Sequence, residues 1–299
     1  MTILPANGQQ NSGAFLWTDT GTYGGNPIRP LAIDEAIATL MGQEGALPLI
    51  HLWVCERALF LGRRDAKLPH LDRVLHTFGK AGYRALLRSS GGACVPLDSG
   101  VLNLAIHLPG TSVAIDDFFQ LAARLLTAGL MRYGEIAIGE VVGSYCVGDY
   151  DFSLNGRKIG GMAQRRTRHG SILQLCINAE PDNRGQLMEL FYEQAGLQEM
   201  TSNKPIPYMD GTTDTSLSAE TKRLVTVSEL KEQLYAALST EWQLTPAPLE
   251  VTEAEIESAR KHLQDKLGLF SYTAQEMADE NWIRRQTSWQ PHAEDRSRI

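Results

Sequence analysis

The chain has few of the features that most often announce a function. Its 299 residues include four cysteines, at 55, 94, 146 and 176, separated by 39, 52 and 30 residues with no Cys-x-x-Cys pair. Zinc has no ligand spacing to use, and no metal site is expected. Neither GxxxxGK[ST] nor a strand-following GxGxxG occurs, which removes the sequence warrant for a bound nucleotide; no cofactor is expected. Charge is mixed rather than blocked: 28 basic and 35 acidic residues give a net charge of -7, so nucleic acid has no general attraction to exploit. No apolar run approaches the ~18 residues that a membrane span requires, and Met1 to Gly13 lacks the basic start and apolar stretch of a secretion signal. The expectation is a cytoplasmic globular protein whose partners are neither nucleic acid nor membrane. In a reducing compartment its free thiols are either small buried hydrophobes or reagents.

At 43% hydrophobic content the chain can bury one large core or two unequal ones. Apolar residues at 33, 36, 37, 40 and 41 predict a first helix over 31–41, followed by strands over 48–56 and 57–62 and a helix over 71–82, an αββα start. Strands over 83–88 and 101–109 then flank a glycine loop. A helix over 115–131 places Phe118, Leu121, Leu125 and Leu126 on one face, with Asp116 and Asp117 against its N-terminal dipole. A strand over 135–142, a hairpin at Asn155-Gly156, a strand over 171–179 and a helix over 182–195 complete this part. Strands fall in runs with helices between them, so the fold class is α+β: a mixed, largely antiparallel sheet flanked by helices. The polar, proline-containing stretch 201–226 is expected as a linker or surface excursion. It separates a catalytic domain over 1–200 from a helical C-terminal part over 227–299, with amphipathic helices over 227–242 and 252–268 and a charged end that frays.

One cysteine stands apart. "VVGSYCVGDYDFSLNGRKIGGMAQRR" sets Cys146 twelve residues before Lys158, which lies just past the Asn155-Gly156 pair. Asn-Gly is a strong type I′ hairpin signal. With those two residues as the loop, Leu154 faces Arg157, Ser153 faces Lys158 and Asp151 faces Gly160. Regular pairing would carry Cys146 to the opposite side of the sheet, so thiol and ammonium can meet only if the chain breaks from it, and Gly148 is the place for a bulge or turn. A cation near a thiol favours thiolate, and a partly buried lysine can shuttle protons, a pairing suited to acyl transfer through a thioester. Spacing alone leaves the plainer reading open, a buried structural Cys146 and a solvated Lys158. Cys55 and Cys176, set among apolar strand residues, read as structural. Cys94 borders a glycine loop where a ligand can approach.

That loop, "RSSGGACVPLDSGVLNLAI", puts paired glycines directly after a strand, which serves a tight turn or a close ligand approach equally well. Together with the Cys146–Lys158 segment it resembles the biotin/lipoate protein ligase superfamily, and within it the cysteine-bearing lipoyl and octanoyl transferases. "GVLN" and "GDYDFS" resemble the amidotransferase subgroup most. The likeness runs from about Leu31 to Ala195. It implies the superfamily's ligase-like catalytic domain, with Cys146 as the acyl-carrying nucleophile and Lys158 as the superfamily lysine. Arg88, Ser90, Gly91, Gly92, Asn103, Gly161 and Gln164 are implied as substrate-binding residues. The activity implied is transfer of an octanoyl or lipoyl group from the glycine-cleavage H protein to lysines of other lipoyl domains, such as those of 2-oxoacid dehydrogenase E2 subunits. Acyl carrier protein as donor is a second reading, and a non-catalytic lipoyl-domain binder a third. The sequence departs from the family pattern at Val147, where proline is expected, and at Cys94, where a small aliphatic residue is expected. Arg63, Arg64, Arg165, Arg166 and Arg168 are candidates for docking acidic carrier domains.

Overall fold

Among the described residues a strand comes first, not a helix. In the computed structural model, which describes residues 14–25, 27–110, 113–200, 209–279 and 281, β1 spans Phe15–Tyr23. Phe15, Leu16 and Trp17 open it and Tyr23 closes it, with Thr, Asp and Gly between, so it carries little hydrophobic period; pairing with its neighbours makes it a strand. Residues 1–13, the stretch 201–208 of the expected linker and the charged end 282–299 lie outside the described residues.

After β1 come α1 (Ile28–Leu40), β2 (Leu49–Cys55), β3 (Ala58–Leu61), α2 (Leu71–Lys80), β4 (Arg84–Leu87), β5 (Val95–Leu97) and β6 (Val101–Pro109). Next are α3 (Ile115–Leu130), β7 (Ile136–Ile138), β8 (Phe152–Leu154), β9 (Arg157–Arg166), β10 (Gly170–Asn178) and α4 (Arg184–Gln194). The chain continues through α5 (Leu217–Thr221), α6 (Val227–Glu241), β11 (Leu244–Pro246), α7 (Glu253–Lys261), β12 (Ser271–Tyr272) and α8 (Ala274–Ala278). The expected strand over 135–142 is only three residues long, because the chain turns after Ile138 toward the cysteine segment.

The strands form two sheets. The larger has the order β11-β1-β2-β6-β10-β9-β8-β7 and the smaller β12-β4-β3-β5. In the larger sheet β1 runs parallel to β2 and β11, and the other pairings are antiparallel, in keeping with the expected mixed, largely antiparallel class. The strands β2 and β3, adjacent in sequence, separate into different sheets. Helices α3 and α6 cover one face of the large sheet, where Phe118, Leu121, Leu125, Leu230, Leu234 and Leu238 share a core with Phe15, Leu52 and Phe152. The other face packs against α1 and the small sheet, with Ile33, Ile37, Trp53, Leu59, Leu86 and Phe191 in a second core. Opposite faces of β2 and β6 feed the two cores by simple alternation.

The Asn155-Gly156 hairpin forms as the sequence suggests. Both residues have positive φ, +52° and +78°, as a type I′ turn demands. Leu154 pairs with Arg157 and Ser153 with Lys158, but Phe152 rather than Asp151 faces Gly160. Ile159 is the extra residue of a β-bulge on β9. This re-aims the strand just beyond Lys158.

A Cβ added at Gly156 would meet no atom within 4 Å, so the cost of Gly156→Ala is confined to the backbone. Urea unfolding should show it about 1 kcal/mol less stable than the parent, with an unchanged m-value.

Candidate active site

Lys158 is 2% exposed. A buried ammonium must find partners for its three N–H groups, and it does: Nζ donates to the carbonyl oxygens of Tyr145 at 2.8 Å and Cys146 at 2.9 Å, and to Asp151 Oδ2 at 2.8 Å. The turn that brings these groups together closes with Asp151 N–H donating to the Gly148 carbonyl at 3.1 Å, at the residue where the sequence needed a break in pairing. Cys146 itself has φ +49°, a left-handed conformation that a non-glycine residue adopts only under constraint. The lysine's grip on two successive carbonyls supplies that constraint.

Lys158 therefore holds the backbone of Cys146, not its sulfur. The sulfur's partners are different: Arg88 Nη2 and the Ala93 N–H each donate to Cys146 Sγ at 3.2 Å. The guanidinium, not the ammonium expected from sequence, is the cation in contact with sulfur. Arg88 is itself fixed by donating to the Ala93 carbonyl at 2.7 Å. Burial works against its charge, yet the Cys146 sulfur beside it raises its affinity for its proton overall.

A brace behind the glycine loop was not legible in sequence. The Cys94 N–H donates to Tyr192 Oη at 2.8 Å, Tyr192 Oη donates to Asp65 Oδ1 at 2.9 Å, and Asp65 Oδ2 accepts from the Gly62 N–H at 2.7 Å. Asp65 and Tyr192 thus anchor the loop that presents the Ala93 amide. The Cys94 side chain is fully buried and burial pushes its thiol well up, so it reads as structural. Cys55 is likewise buried, its thiol pushed up to about 12.

A second acidic side chain reaches the lysine region from the polar stretch after residue 208. Thr215 N–H donates to the Lys158 carbonyl and Lys158 N–H to the Thr213 carbonyl, and the residues between 214 and 218 are buried. Asp214 Oδ2 accepts the Tyr145 N–H at 3.2 Å. Burial raises its carboxyl to about 7, against the pull of Lys158. Nothing in the local period of that segment marks Asp214; only the fold brings it here.

Cys146, Arg88 and Lys158 all border a cavity of about 500 Å³ that is lined from both sheets. Its lining includes every expected site residue: Cys146, Lys158, Arg88, Ser90, Gly91, Gly92, Asn103, Gly161 and Gln164. Apolar walls come from Leu31, Trp53, Phe60, Val95, Leu97 and Met162. Cys146 is half-buried and opens to this space. Gln164 is less free than expected, since its Nε2 donates to the Ile115 carbonyl. Cys176, expected among purely structural thiols, is half-buried and borders the cavity. Val147, in the place of the expected proline, also borders it; the turn and the lysine fix the loop instead. Among the docking candidates, Arg165 pairs with Glu35 and Arg166 donates to the Val113 carbonyl, so both are tied to the protein's own surface.

Among the described residues the one group with metal-ligand composition is Asp34, His51 and His107, wholly buried. Their atoms are largely spent on each other. Asp34 accepts from His51 Nδ1 at 2.7 Å, His107 Nε2 at 3.2 Å and Gln174 Nε2 at 2.8 Å. Burial alone would raise the Asp34 carboxyl, but the two histidine hydrogen bonds hold it well below the usual range. Gln174 borders the cavity, so this network stiffens its floor.

Residues 26–239 match the family model of the lipoyl protein ligase A/B catalytic domain. The octanoyl-[GcvH]:protein N-octanoyltransferase of Geobacillus kaustophilus is 37% identical over 214 residues, 70% of this chain and 75% of the relative. The lipoyl-[GcvH]:protein N-lipoyltransferase of Listeria monocytogenes is 35% identical over 179 residues, 58% of this chain and 64% of the relative. Among solved structures, lipoate-protein ligase A bound with ATP superposes with a TM-score of 0.62 at 19% identity, covering 91% of this chain and 98% of that one. A bipartite lipoate protein ligase from Thermoplasma acidophilum, described with its E2 lipoyl domain, superposes with a TM-score of 0.60 at 19% identity over 91% and 96%. Those two carry the fold.

Because Asp214 titrates near 7 when folded and near 3.8 when free, the folded state binds the extra proton between these values. Its contribution to stability is complete below about pH 4 and is lost as pH rises through 7. Asp214→Asn keeps an acceptor for Tyr145 N–H and removes the titration. Thermal unfolding from pH 4 to 8 should show the parent losing stability relative to this variant as pH rises; parallel profiles would count against the assignment.

Proposed function

This chain belongs to the lipoyl protein ligase A/B catalytic-domain family, and we propose that it is an acyltransferase moving octanoyl or lipoyl groups from the glycine-cleavage H protein to lysines of other lipoyl domains through a thioester on Cys146. The observation that carries this reading is the half-buried sulfur, met by two donors and opening into an apolar cavity. The names of the relatives support the H protein as donor. An E2 lipoyl domain as acceptor is in keeping with the T. acidophilum ligase and its partner.

The chemistry starts from an amide. The Cys146 thiolate attacks the acyl carbon of the acyl-lysine; the carbon–nitrogen bond breaks, the acyl group stays on sulfur, and the lysine amine leaves with the proton that the thiol gave up. In the second half an acceptor lysine amine attacks the thioester, a new amide forms and the thiol is restored. Amide is exchanged for amide, so no ATP is needed overall, although the first half runs uphill.

Arg88 and the Ala93 N–H lie where they can hold the negative charge as it passes from sulfur to the carbonyl oxygen of the tetrahedral intermediate. The Lys158–Asp151 pair, one carbonyl away from the sulfur, is the proton relay for the departing and arriving amines. Arg88, Ser90, Gly91, Gly92, Asn103, Gly161 and Gln164 line the space for the acyl chain. Each buried methylene contributes about 0.8 kcal/mol to holding it, and the same walls keep water from the thioester.

Incubation with octanoylated H protein should add one octanoyl mass to the enzyme, removable by hydroxylamine and absent in Cys146→Ala. Label retained by that variant sends the acyl group to another residue. Loading from octanoyl-acyl carrier protein, with none from H protein, would favour the other donor; binding of H protein without transfer would favour a non-catalytic binder. Lys158→Met should act twice. Thioester formation should slow, and the melting temperature should fall because Asp151 and Asp214 remain buried without their cation, a loss on the order of 3–5 kcal/mol.

A further inference from the structure

Where β10 stops, another stretch of chain takes its place beside β9. The last pair between these strands is Ile177 with Gly160. Beyond it the segment 213–215 runs along Lys158, with Asp214 bridged to Lys158 in parallel through the backbone hydrogen bonds to Thr213 and Thr215. Further bonds tie the segment down. Arg157 donates through Nε to the Thr212 carbonyl and through Nη2 to the Asp214 carbonyl, both at 3.0 Å. Asn178 Nδ2 donates to the Thr215 carbonyl at 3.1 Å, and the Asp210 N–H to the Gly143 carbonyl at 2.8 Å. Residues bridged across neighbouring strands present their side chains to the same face, so the Asp214 carboxyl is held on the side of the Lys158 ammonium.

The ammonium nevertheless has no donor to spare for it. Its three N–H groups go to Tyr145, Cys146 and Asp151. Asp214 is 7% exposed; Oδ2 accepts the Tyr145 N–H, and Oδ1 has no hydrogen-bond partner among the described residues. Asp151 is better served, accepting from both the ammonium and the Gly148 N–H. A buried carboxylate with one neutral donor is costly and takes up a proton instead. One lysine thus has a charged partner in Asp151 and an uncharged neighbour in Asp214. The position of Asp214 near 7 agrees; burial raises the Asp151 carboxyl as well, against a direct bond from Lys158. Arg157, the other cation near Asp214, is paired with Glu220. Glu189 accepts the Gly211 N–H, and burial pushes the Tyr145 phenol well up, so that it is uncharged.

We propose that Asp214 is a positioning residue that works in its neutral form, leaving the Lys158 ammonium with a single counter-ion so that it can pass its proton to the departing amine. The proposal rests on the acyl-transfer reading above and adds a residue that governs the proton step. Asp214 does not border the cavity, whereas Lys158 and Asp151 both do, so it touches no substrate and acts through the lysine. As sulfur bonds to the acyl carbon and the carbon–nitrogen bond breaks, the amine takes a proton from Nζ and the thiol's proton restores the ammonium. An ionised Asp214 places a second negative charge beside the ammonium, favours its protonated state and so opposes the transfer. Amide cleavage therefore needs Asp214 protonated, a form that is complete well below pH 7 and lost as pH rises through it. An ester whose alcohol leaves as a stable anion needs no such proton and escapes this limit.

The test uses two small octanoyl donors that differ in the leaving atom, para-nitrophenyl octanoate and octanoyl para-nitroanilide, together with octanoylated H protein. Acylation of Cys146 is followed by intact mass and by released chromophore. The amide-to-ester rate ratio is taken within each protein, so that ionisation of the thiol and general losses of activity cancel. From about pH 6 to about pH 8.5 the parent's ratio should fall about fivefold or more, while in Asp214→Asn, an uncharged side chain that keeps an acceptor for the Tyr145 N–H, it should stay level. Asp214→Ser, uncharged too, replaces it if the Asn variant does not fold. A level ratio in the parent, or an equal fall in the uncharged variant, would overturn the role; a merely structural role gives one of these, because it weakens ester and amide alike. The small amide separates this from the carrier reading. If neither H protein nor acyl carrier protein loads the enzyme but the nitroanilide shows the fall in the parent alone, Asp214 keeps its role and the carrier assignment is lost. If H protein loads it with a level ratio, the carrier assignment stands and the Asp214 role is lost. Cleavage of neither amide at any pH would end both.

Discussion

A buried ammonium organises the candidate site. Lys158 is closed off from water, and each of its N–H groups is taken by an oxygen of one short segment, the carbonyls of Tyr145 and Cys146 and the carboxylate of Asp151. Charge in a low-dielectric interior is tolerated only when so matched. The loop must therefore curl around the lysine, and the left-handed turn at Cys146 is the shape that curling takes. Asp214 approaches from a distant stretch of chain, accepting the Tyr145 N–H within the electrostatic reach of Lys158.

Holding the backbone with one cation leaves the sulfur to another. Arg88 comes from the end of β4 in the small sheet and Lys158 from β9 in the large one, so the cysteine sits across the seam between the two sheets. A seam is where a cavity can persist, because neither sheet's own packing fills it. The glycine loop that completes the sulfur's surroundings is pinned from behind by Asp65 and Tyr192. Its amide at Ala93 is thereby a fixed donor rather than a mobile one, which is what stabilising developing charge demands.

Much of this could be read before any coordinates. The Asn-Gly pair announced its hairpin because both residues must adopt positive φ, and "VLNLAIHLP" matches β6 end for end because its apolar run is bounded by a glycine and a proline-glycine turn. The meeting of Cys146 and Lys158 was legible as a required departure from regular pairing. Besides the brace of Asp65 and Tyr192, three things were not. β1 hides because its burial comes from pairing, not from an apolar period. Arg88 was marked for substrate rather than sulfur, since spacing cannot say which cation a thiol touches. Asp214 lies in a polar stretch whose composition suggests a surface, and only its backbone bonds to Lys158 draw it inward.

The division between the two cations bears on how such an enzyme passes an acyl group between two proteins. In the proposed mechanism a thioester has to survive while one carrier domain leaves and another arrives, so whatever holds the cysteine in place must not depend on the substrate. Here it does not: the bonds from Lys158 to the cysteine loop and from Asp65 through Tyr192 to the glycine loop are internal to the chain. Apart from the proton that the Lys158–Asp151 pair would pass to and from the amines, only the donors on the sulfur would change partners as charge moves. A lysine that both fixed the backbone and neutralised the sulfur would lose its hold whenever the sulfur became acylated, because an uncharged thioester no longer attracts it. Giving the sulfur to Arg88 removes that conflict, so that the proposed acyl-enzyme would keep the geometry the second amine must find.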